Sequence, residues 1–301
     1  IAELPKEAVK LVEPTIQLNT VRTSQSGGPL WWMLDEYLGF KSMTNYNGNK
    51  DGVRKNANVI ISNSSTLDTA QINEVKKGVG IIFIRNVASL NDANFGIGSP
   101  AAKTGSFADV ALNGQYNVDD SLFTMNYQNT STYYARGNKY YDLPKGAKIL
   151  FQSRLDKEDA FIGGFQATSG EKETFANAVT MFSTIIENDA KPAQVLAIGQ
   201  YLDYRPHYQK LLPILATAIY ASAAGIYDDF NAPVIEGPKY ENGKYAVSAK
   251  DGNHGYAESG VKKLSVYLEK NGESNLIGEA SKGSVYFQPS GEKMHLKAIA
   301  V

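Results

Sequence analysis

The segment ANVIISNSSTLDTAQINEVKKGVGIIFIRN, residues 57–86, decides the fold class predicted for this chain. It contains two short apolar runs, residues 57–62 and 80–85, on either side of a helical pattern over residues 66–78. Apolar side chains recur in that pattern at roughly helical spacing, and Thr66 is suited to cap its start. A strand, a helix and a second strand, with both strands apolar on both faces, indicate a parallel pair buried inside an α/β sheet.

The end of the second strand lacks the groups that carry chemistry in many sheets of this kind. Ligand and catalytic groups usually lie at the carboxyl ends of parallel strands. Here the strand ends in RNVA, residues 85–88, without a cysteine, a serine elbow or a glycine-rich phosphate loop. The segment therefore predicts an enzyme-like scaffold from which the usual reactive group is missing.

Composition limits the classes of function. The chain has 301 residues, with 30 Lys and Arg against 31 Asp and Glu. A net charge near zero gives no overall field to attract nucleic acid or an anionic membrane, so neither is an expected partner. No run of about 18 apolar residues exists, so no membrane span is expected. The length favours two domains over one.

The chain contains no cysteine. This excludes thiol catalysis, disulfides and thiolate metal sites. A cysteine-free chain fits a reducing cytoplasm as well as secretion from a Gram-positive bacterium, and its 18 tyrosines favour secretion. Because the sequence begins at Ile1 without a signal peptide, we expect it to be a fragment of a longer polypeptide.

The strand-and-helix pattern extends on both sides of the opening segment. We expect a linker over residues 1–14, a first strand over residues 15–21 and a helix over residues 29–38. Residues 89–120 are rich in Gly, Asn, Ala and Ser, so they form either a functional loop or short elements. Residues 15–226 are predicted to form a three-layer α/β sandwich with a largely parallel sheet.

Short apolar runs predict the later elements of this domain. Strands are expected over residues 121–127, 131–136, 147–153, 160–166 and 194–199. Residues 174–182 fit a helix or a strand–helix junction, and their periodicity does not decide between the two. A helix is expected from Pro206 toward Ala224, with one apolar face.

The pattern changes over residues 233–301, which we expect to form a small all-β domain. Apolar and polar residues alternate there, and Asn271-Gly272 between two strand patterns predicts a tight hairpin turn. The domain is predicted to be an immunoglobulin-like sandwich. Because it is short for such a sandwich, it is expected to be truncated.

The best candidates for chemistry are Asp203, Arg205 and His207. They follow a predicted buried strand and precede a predicted helix, where α/β sheets place ligand sites. Together they could bind a carboxylate or transfer a proton. The structural alternative is that Asp203 caps the helix and pairs with Arg205. No histidine has the spacing of a metal site, so we expect no metal and no cofactor.

Other candidates have simpler structural interpretations. His254 is expected in a plain turn and His295 on a solvent-facing strand position. Trp31 and Trp32 are expected to form the core face of a helix, with a sugar-stacking platform as the alternative. The pairs Tyr133-Tyr134 and Tyr140-Tyr141 are expected to pack on edge strands, with carbohydrate binding as the alternative.

Several motifs resemble a known family. GPLWWMLD (residues 28–35), NVIISN (58–63) and GVGIIFIR (78–85) resemble a class I glutamine amidotransferase-like domain. DVALNGQYNV (109–118) and AIGQYLDYRPH (197–207) are similar to the non-peptidase region that follows the catalytic domain in large secreted bacterial zinc carboxypeptidases. The resemblance covers about residues 14–225. It implies a Cys-His-Glu triad or a His-x-x-Glu zinc site, and neither can be placed on this sequence.

The sequence and the resemblance together lead to a functional hypothesis. The chain is expected to be a non-catalytic accessory region of a secreted or cell-surface bacterial hydrolase, with a zinc carboxypeptidase domain upstream in the same polypeptide. Its expected partners are that catalytic domain and a peptide or cell-wall glycan. Two alternatives stay open. One is an independent hydrolase or isomerase using Asp203, Arg205 and His207, and the other is a carbohydrate-binding module.

Overall fold

The chain divides into two compact units, residues 1–228 and 229–301. A computed structural model describes residues 11–20, 27–40, 43–45, 56–105, 108–118, 121–165, 171–188, 191–202, 209–230, 233–251, 261–281, 283–288 and 295–301. Within these ranges, no helix has both the length and the apolar character that crossing a membrane requires.

The first unit contains a twelve-stranded mixed sheet within its described residues. Its strands are β1 (Ile16–Asn19), β2 (Met43–Asn45), β3 (Val59–Ser62), β4 (Gly80–Ile84), β5 (Ala102–Thr104), β6 (Ala108–Tyr116), β7 (Thr130–Ala135), β8 (Lys139–Tyr141), β9 (Lys148–Ser153), β10 (Phe161–Phe165), β11 (Val179–Ile186) and β12 (Ala193–Ile198). The main strand order is β10-β6-β9-β11-β12-β4-β3-β1-β2.

The prediction from residues 57–86 is confirmed. β3 and β4 pair in parallel, and every residue of both strands is buried. The intervening helix, α2, spans Thr69–Lys76, and its N-cap is Asp68 rather than Thr66. The Asp68 carboxylate accepts a hydrogen bond from the backbone N–H of Gln71 at 2.8 Å, and the Gln71 side chain accepts one from the Asp68 N–H at 3.1 Å. This reciprocal pair, a capping box, fixes where the helix starts.

The prediction of a largely parallel sheet is wrong. Strands β1, β2, β3, β4 and β12 pair in parallel, while β5 to β11 form antiparallel pairs. The antiparallel strands lie in sequence between β4 and β12, and they extend one side of the sheet. Their short connections favour antiparallel neighbours, because parallel strands need a long crossover.

Helices cover both faces of the sheet. The other helices of this unit are α1 (Gly27–Trp32), which continues as a π-helix over Met33–Tyr37, α3 (Asp92–Phe95), α4 (Glu171–Thr174) and α5 (Leu212–Ala224). Leu30 of α1 and Ile214 of α5 belong to one buried apolar cluster, and Val75 of α2 belongs to another. The three-layer arrangement that the sequence predicted is therefore present, around a mixed sheet.

One local prediction is wrong and two alternatives are decided. Residues 121–127 form turns instead of a strand, because the backbone N–H groups of Thr124 and Met125 both donate to the Ser121 carbonyl. A helix over residues 174–182 is also excluded, since α4 ends at Thr174 and β11 begins at Val179. Residues 89–120 contain short elements, namely α3, β5 and β6.

Asp228 is a buried carboxylate that joins distant parts of the first unit. It accepts hydrogen bonds from the hydroxyls of Ser121 at 2.7 Å and Ser183 at 2.9 Å and from the N–H of Leu122 at 3.1 Å. Its own N–H donates to the Gln194 side chain at 2.5 Å. Burial raises the pKa of Asp228, and the donors offset part of that rise. We call this group of residues the Asp228 clamp.

The raised pKa predicts a pH dependence of stability. The folded state keeps the Asp228 proton above the ordinary carboxyl pKa of 3.8, where the unfolded state has already lost it. The free energy of unfolding of the wild type, relative to that of Asp228→Asn, should therefore fall as pH rises above about 4 and then become constant. Urea unfolding of both proteins at several pH values measures this difference. A difference that grows with pH would contradict the raised pKa.

The described part of the second unit contains two three-stranded antiparallel sheets. Its strands are β13 (Val234–Glu241), β14 (Lys244–Lys250), β15 (Leu264–Lys270), β16 (Glu273–Ala280), β17 (Ser284–Phe287) and β18 (His295–Ala300). Val247 and Val285 of one sheet and Val266 of the other belong to a single core. Asn271 and Gly272 have φ values of 54° and 81°, which the predicted hairpin turn requires. The all-β prediction agrees with these sheets, and the immunoglobulin-like assignment stays a prediction.

Candidate functional site

The carboxyl ends of β3, β4 and β12 meet at one edge of the sheet, as their parallel pairing requires. The predicted residues Asp203, Arg205 and His207 follow β12 in sequence but lie outside the described residues. The hypothesis that they bind a ligand or transfer a proton therefore stays a prediction. His254 also lies outside the described residues.

Arg85, directly after β4, has an unusual backbone conformation. Its φ is 66°, in the left-handed region, which costs a non-glycine residue about 1–2 kcal/mol. Its N–H donates to the carbonyl of Ile198 at 2.7 Å, and its carbonyl accepts a hydrogen bond from the Tyr141 hydroxyl at 2.9 Å. Because Tyr141 is fully in the core, this hydroxyl holds the Arg85 backbone from inside the protein. A nucleophile elbow also holds a strained residue at the end of a strand, but there a helix follows directly; here the residue is an arginine, and the next helix, α3, begins at Asp92.

The Arg85 guanidinium is partly enclosed. Its Cζ lies 3.9 Å from the centroid of the Tyr201 ring, a cation–π contact. Its Nη2 donates to the carbonyl of Gly137 at 3.1 Å. Its Nε is buried and has no hydrogen-bond partner within the described ranges. The side chain is thus fixed in place while at least one of its donors is unused.

Lys139 lies beside Arg85 at the start of β8. Its backbone N–H donates to the Gly199 carbonyl at 2.8 Å, which fixes β8 against the end of β12. Its ammonium donates to the Thr104 hydroxyl. Partial burial and the neighbouring Arg85 charge lower the pKa of Lys139. The backbones of Arg85 and Lys139 lie next to each other, because their N–H groups donate to the carbonyls of Ile198 and Gly199, two consecutive residues at the end of β12.

Gly199 makes this close arrangement possible. A Cβ atom on Gly199 would lie 2.1 Å from the Lys139 carbonyl oxygen and 2.8 Å from that of Thr180. The next residue, Gln200, is fully buried, and its amide donates to the Thr180 hydroxyl at 2.8 Å. The backbone around Lys139 is thus packed too tightly to accept a side chain at position 199.

Asn19 and Ser62, at the ends of β1 and β3, form a structural pair. The Asn19 amide donates to the Ser62 hydroxyl at 3.0 Å and to the carbonyl of Thr66 at 2.7 Å. Ser62 is fully buried, and its oxygen also accepts a hydrogen bond from the N–H of Ser64 at 3.3 Å. These bonds hold the turn after β3, and Ser62 is not exposed to a substrate.

The described residues contain no group of three His, Asp or Glu side chains able to hold a metal ion. His295 is exposed on β18, where an outward-facing histidine was predicted. Neither the lack of such a group among the described residues nor the exposure of His295 assigns a function to the chain.

The aromatic residues agree with their predictions only in part. Tyr133, Tyr140 and Tyr141 are buried, so the carbohydrate platform considered for these tyrosine pairs does not form. The structural reason is that Tyr133 and Tyr140 pack against Phe151 and Phe175 in the core. Tyr133 lies on β7, which pairs only with β6 among the described strands and so agrees with the edge-strand prediction, whereas β8, which carries Tyr140 and Tyr141, pairs with both β5 and β11. Trp31 packs partly against the core as predicted. Trp32 does not, because it is 49% exposed and its ring lies 6.0 Å from that of Tyr37.

Sequence reasoning located the edge of the sheet but missed the two cations as a pair. The sequence showed that Arg85 follows a strand, but it did not mark Arg85 as a candidate site residue. Lys139 reaches this edge from the antiparallel part of the sheet, 54 positions later in the sequence than Arg85. No local motif marks it, and only the pairing of β8 with β11 brings it here.

Comparisons with known proteins concern the fold. The chain is similar in structure to a ThuA-like protein from Bacteroides uniformis, with a TM-score of 0.44 and 13% identity over 74% of this chain and 94% of that chain. It is also similar to a glutamine amidotransferase from Thermotoga maritima, with a TM-score of 0.40 and 9% identity over 69% of this chain and 96% of that one. No protein-family model and no curated protein sequence matches the chain.

Proposed function

We propose that the chain is a non-catalytic accessory region of a secreted or cell-surface bacterial hydrolase. The observation that carries the proposal is Arg85, which occupies the left-handed strand-end position where a nucleophile would stand in an enzyme of this architecture. A guanidinium stays protonated and cannot attack a carbonyl group, whereas it binds oxygen anions well. The site therefore favours binding over bond cleavage.

The parent enzyme in this proposal is a zinc carboxypeptidase. The support is the resemblance of residues 109–118 and 197–207 to the region that follows the catalytic domain in such enzymes. The catalytic zinc would belong to the upstream domain. This region would position a peptide or cell-wall glycan for it, and residues 233–301 would serve as an immunoglobulin-like spacer.

Kinetics of the parent polypeptide test the proposal. We expect the isolated chain to show no turnover of peptide, ester or glutamine substrates. Deleting residues 15–301 from the parent should leave kcat for a small peptide unchanged and raise KM for cell-wall material about tenfold, or about 1.4 kcal/mol of lost binding. Turnover by the isolated chain that disappears in His207→Ala would contradict the proposal and favour the independent hydrolase or isomerase.

A further inference from the structure

Arg85 and Lys139 are neighbouring cations for which the described residues provide no counter-ion. The described acidic side chains form their ion pairs elsewhere, such as Asp109 with Arg136 and Asp142 with Lys103. Neither Arg85 nor Lys139 has a carboxylate partner within the described residues, and the Arg85 Nε lacks any hydrogen bond there. A buried donor without a partner is destabilising. A bound anion would provide a counter-charge for both cations and a partner for the unused Arg85 donor.

We infer that Arg85 and Lys139 form a binding site for a carboxylate. The Tyr201 ring covers one face of the guanidinium, so an anion is expected to approach in the guanidinium plane. A carboxylate is planar, and its two oxygens match two parallel N–H donors of an arginine. The Lys139 ammonium supplies the second charge from β8. Arginine also binds phosphate through two parallel donors, so phosphate is the competing anion that the test includes.

The arrangement is preorganised. The Arg85 backbone is held by Ile198 and Tyr141, and its guanidinium by Gly137 and Tyr201. Because the side chain is already ordered, binding costs little additional conformational entropy. The inference does not depend on the proposed function, since an enzyme and an accessory region can each bind a carboxylate.

Binding to the full 301-residue chain tests the inference. The probes are acetate, N-acetyl-alanyl-alanine with a free carboxyl group, its C-terminal amide, and inorganic phosphate. We expect both carboxylates to shift the NMR signal of the Arg85 Nε–H and the amide to leave it unchanged. Tighter binding of the dipeptide than of acetate would identify a peptide carboxyl group as the source, and equal binding would identify a small free acid. Phosphate binding more tightly than either carboxylate would overturn the inference, as would the absence of any shift.

Variants separate the site from general charge effects. Arg85→Lys keeps the charge and loses the planar donor pair, so the dissociation constant for the better carboxylate should rise at least about tenfold. Lys139→Gln should raise it about threefold or more. Arg136→Lys is the matched control, because Arg136 is a half-exposed arginine paired with Asp109. The Arg136→Lys variant should bind the carboxylate with the same dissociation constant as the wild type. If carboxylate binding weakened equally in all three variants, the inference would be overturned. If Arg85→Lys does not fold, the titration of the wild type with the four probes decides the inference.

Discussion

Gly199→Ala is expected to lower the free energy of unfolding of the first unit by about 3 kcal/mol. The added Cβ atom would lie 2.1 Å from the Lys139 carbonyl oxygen and 2.8 Å from that of Thr180; both are backbone atoms, and the Thr180 carbonyl accepts a hydrogen bond from the Gly199 N–H at 2.6 Å. The neighbours cannot rotate away, so β8 or β11 must move. Urea unfolding followed by tryptophan fluorescence measures this effect, because both tryptophans of the chain, Trp31 and Trp32, lie in the first unit.

Gly163→Ala is the matched control for this prediction. Gly163 lies in β10 of the same sheet, and a Cβ atom there would have no heavy atom within 4 Å. Its free energy of unfolding should differ from that of the wild type by no more than about 0.5 kcal/mol. Equal effects of the two substitutions would show that the close contact at Gly199 is not the cause. If Gly199→Ala binds a carboxylate as tightly as the wild type does, β8 has not moved.

The parallel part of the sheet could be predicted because its signals are local. β3 and β4 are buried on both faces, so their apolar runs are continuous, and α2 between them has its own cap and spacing. The turn at Asn271-Gly272 was equally local, because two adjacent residues fix its geometry. The same reasoning extends to Asn242-Gly243, whose φ values of 50° and 81° form the turn between β13 and β14.

The antiparallel part could not be predicted because its structure depends on distant partners. Residues 121–127 have the composition of a strand, yet Ser121 is bound by Asp228, which is 107 positions away. Pairing of that kind leaves no periodic signal in a sequence. The strands β5 to β11 were mostly visible as apolar runs, and their direction in the sheet was not.

The candidate site shows the same division between local and distant information. Its location followed from the rule that ligands bind at the carboxyl ends of parallel strands. Its chemistry did not, because Lys139 comes from the inserted antiparallel strands and Tyr201 from the segment after β12. A lone arginine after an apolar strand has many structural explanations. Only the cation–π contact, the left-handed backbone and the neighbouring lysine distinguish Arg85 from an ordinary strand end.

Asp228→Ala is expected to destabilise the first unit by about 4 kcal/mol at neutral pH. The substitution removes the acceptor for the hydroxyls of Ser121 and Ser183 and for the N–H of Leu122. Each buried donor left without a partner costs about 1–3 kcal/mol, and water entering the space would recover part of that. Urea unfolding followed by tryptophan fluorescence again reports on this unit.

Two further substitutions separate the hydrogen bonds of the Asp228 clamp from charge alone. Asp228→Asn keeps one acceptor oxygen for the Leu122 N–H, and its NH2 group can donate to the Ser121 and Ser183 hydroxyl oxygens, so it should retain most of the stability that Asp228→Ala loses. Asp142→Ala removes an exposed carboxylate whose nearest cation, Lys103, is 3.7 Å away, and it should change stability by no more than about 0.5 kcal/mol. Equal losses in Asp228→Asn and Asp228→Ala would contradict the role of the acceptor. We therefore expect Asp228→Ala to be the most destabilising of the three variants, Asp228→Asn less so and Asp142→Ala least. The reason is that the side chain at position 228 joins donors from the turn after β6 to a donor from β11.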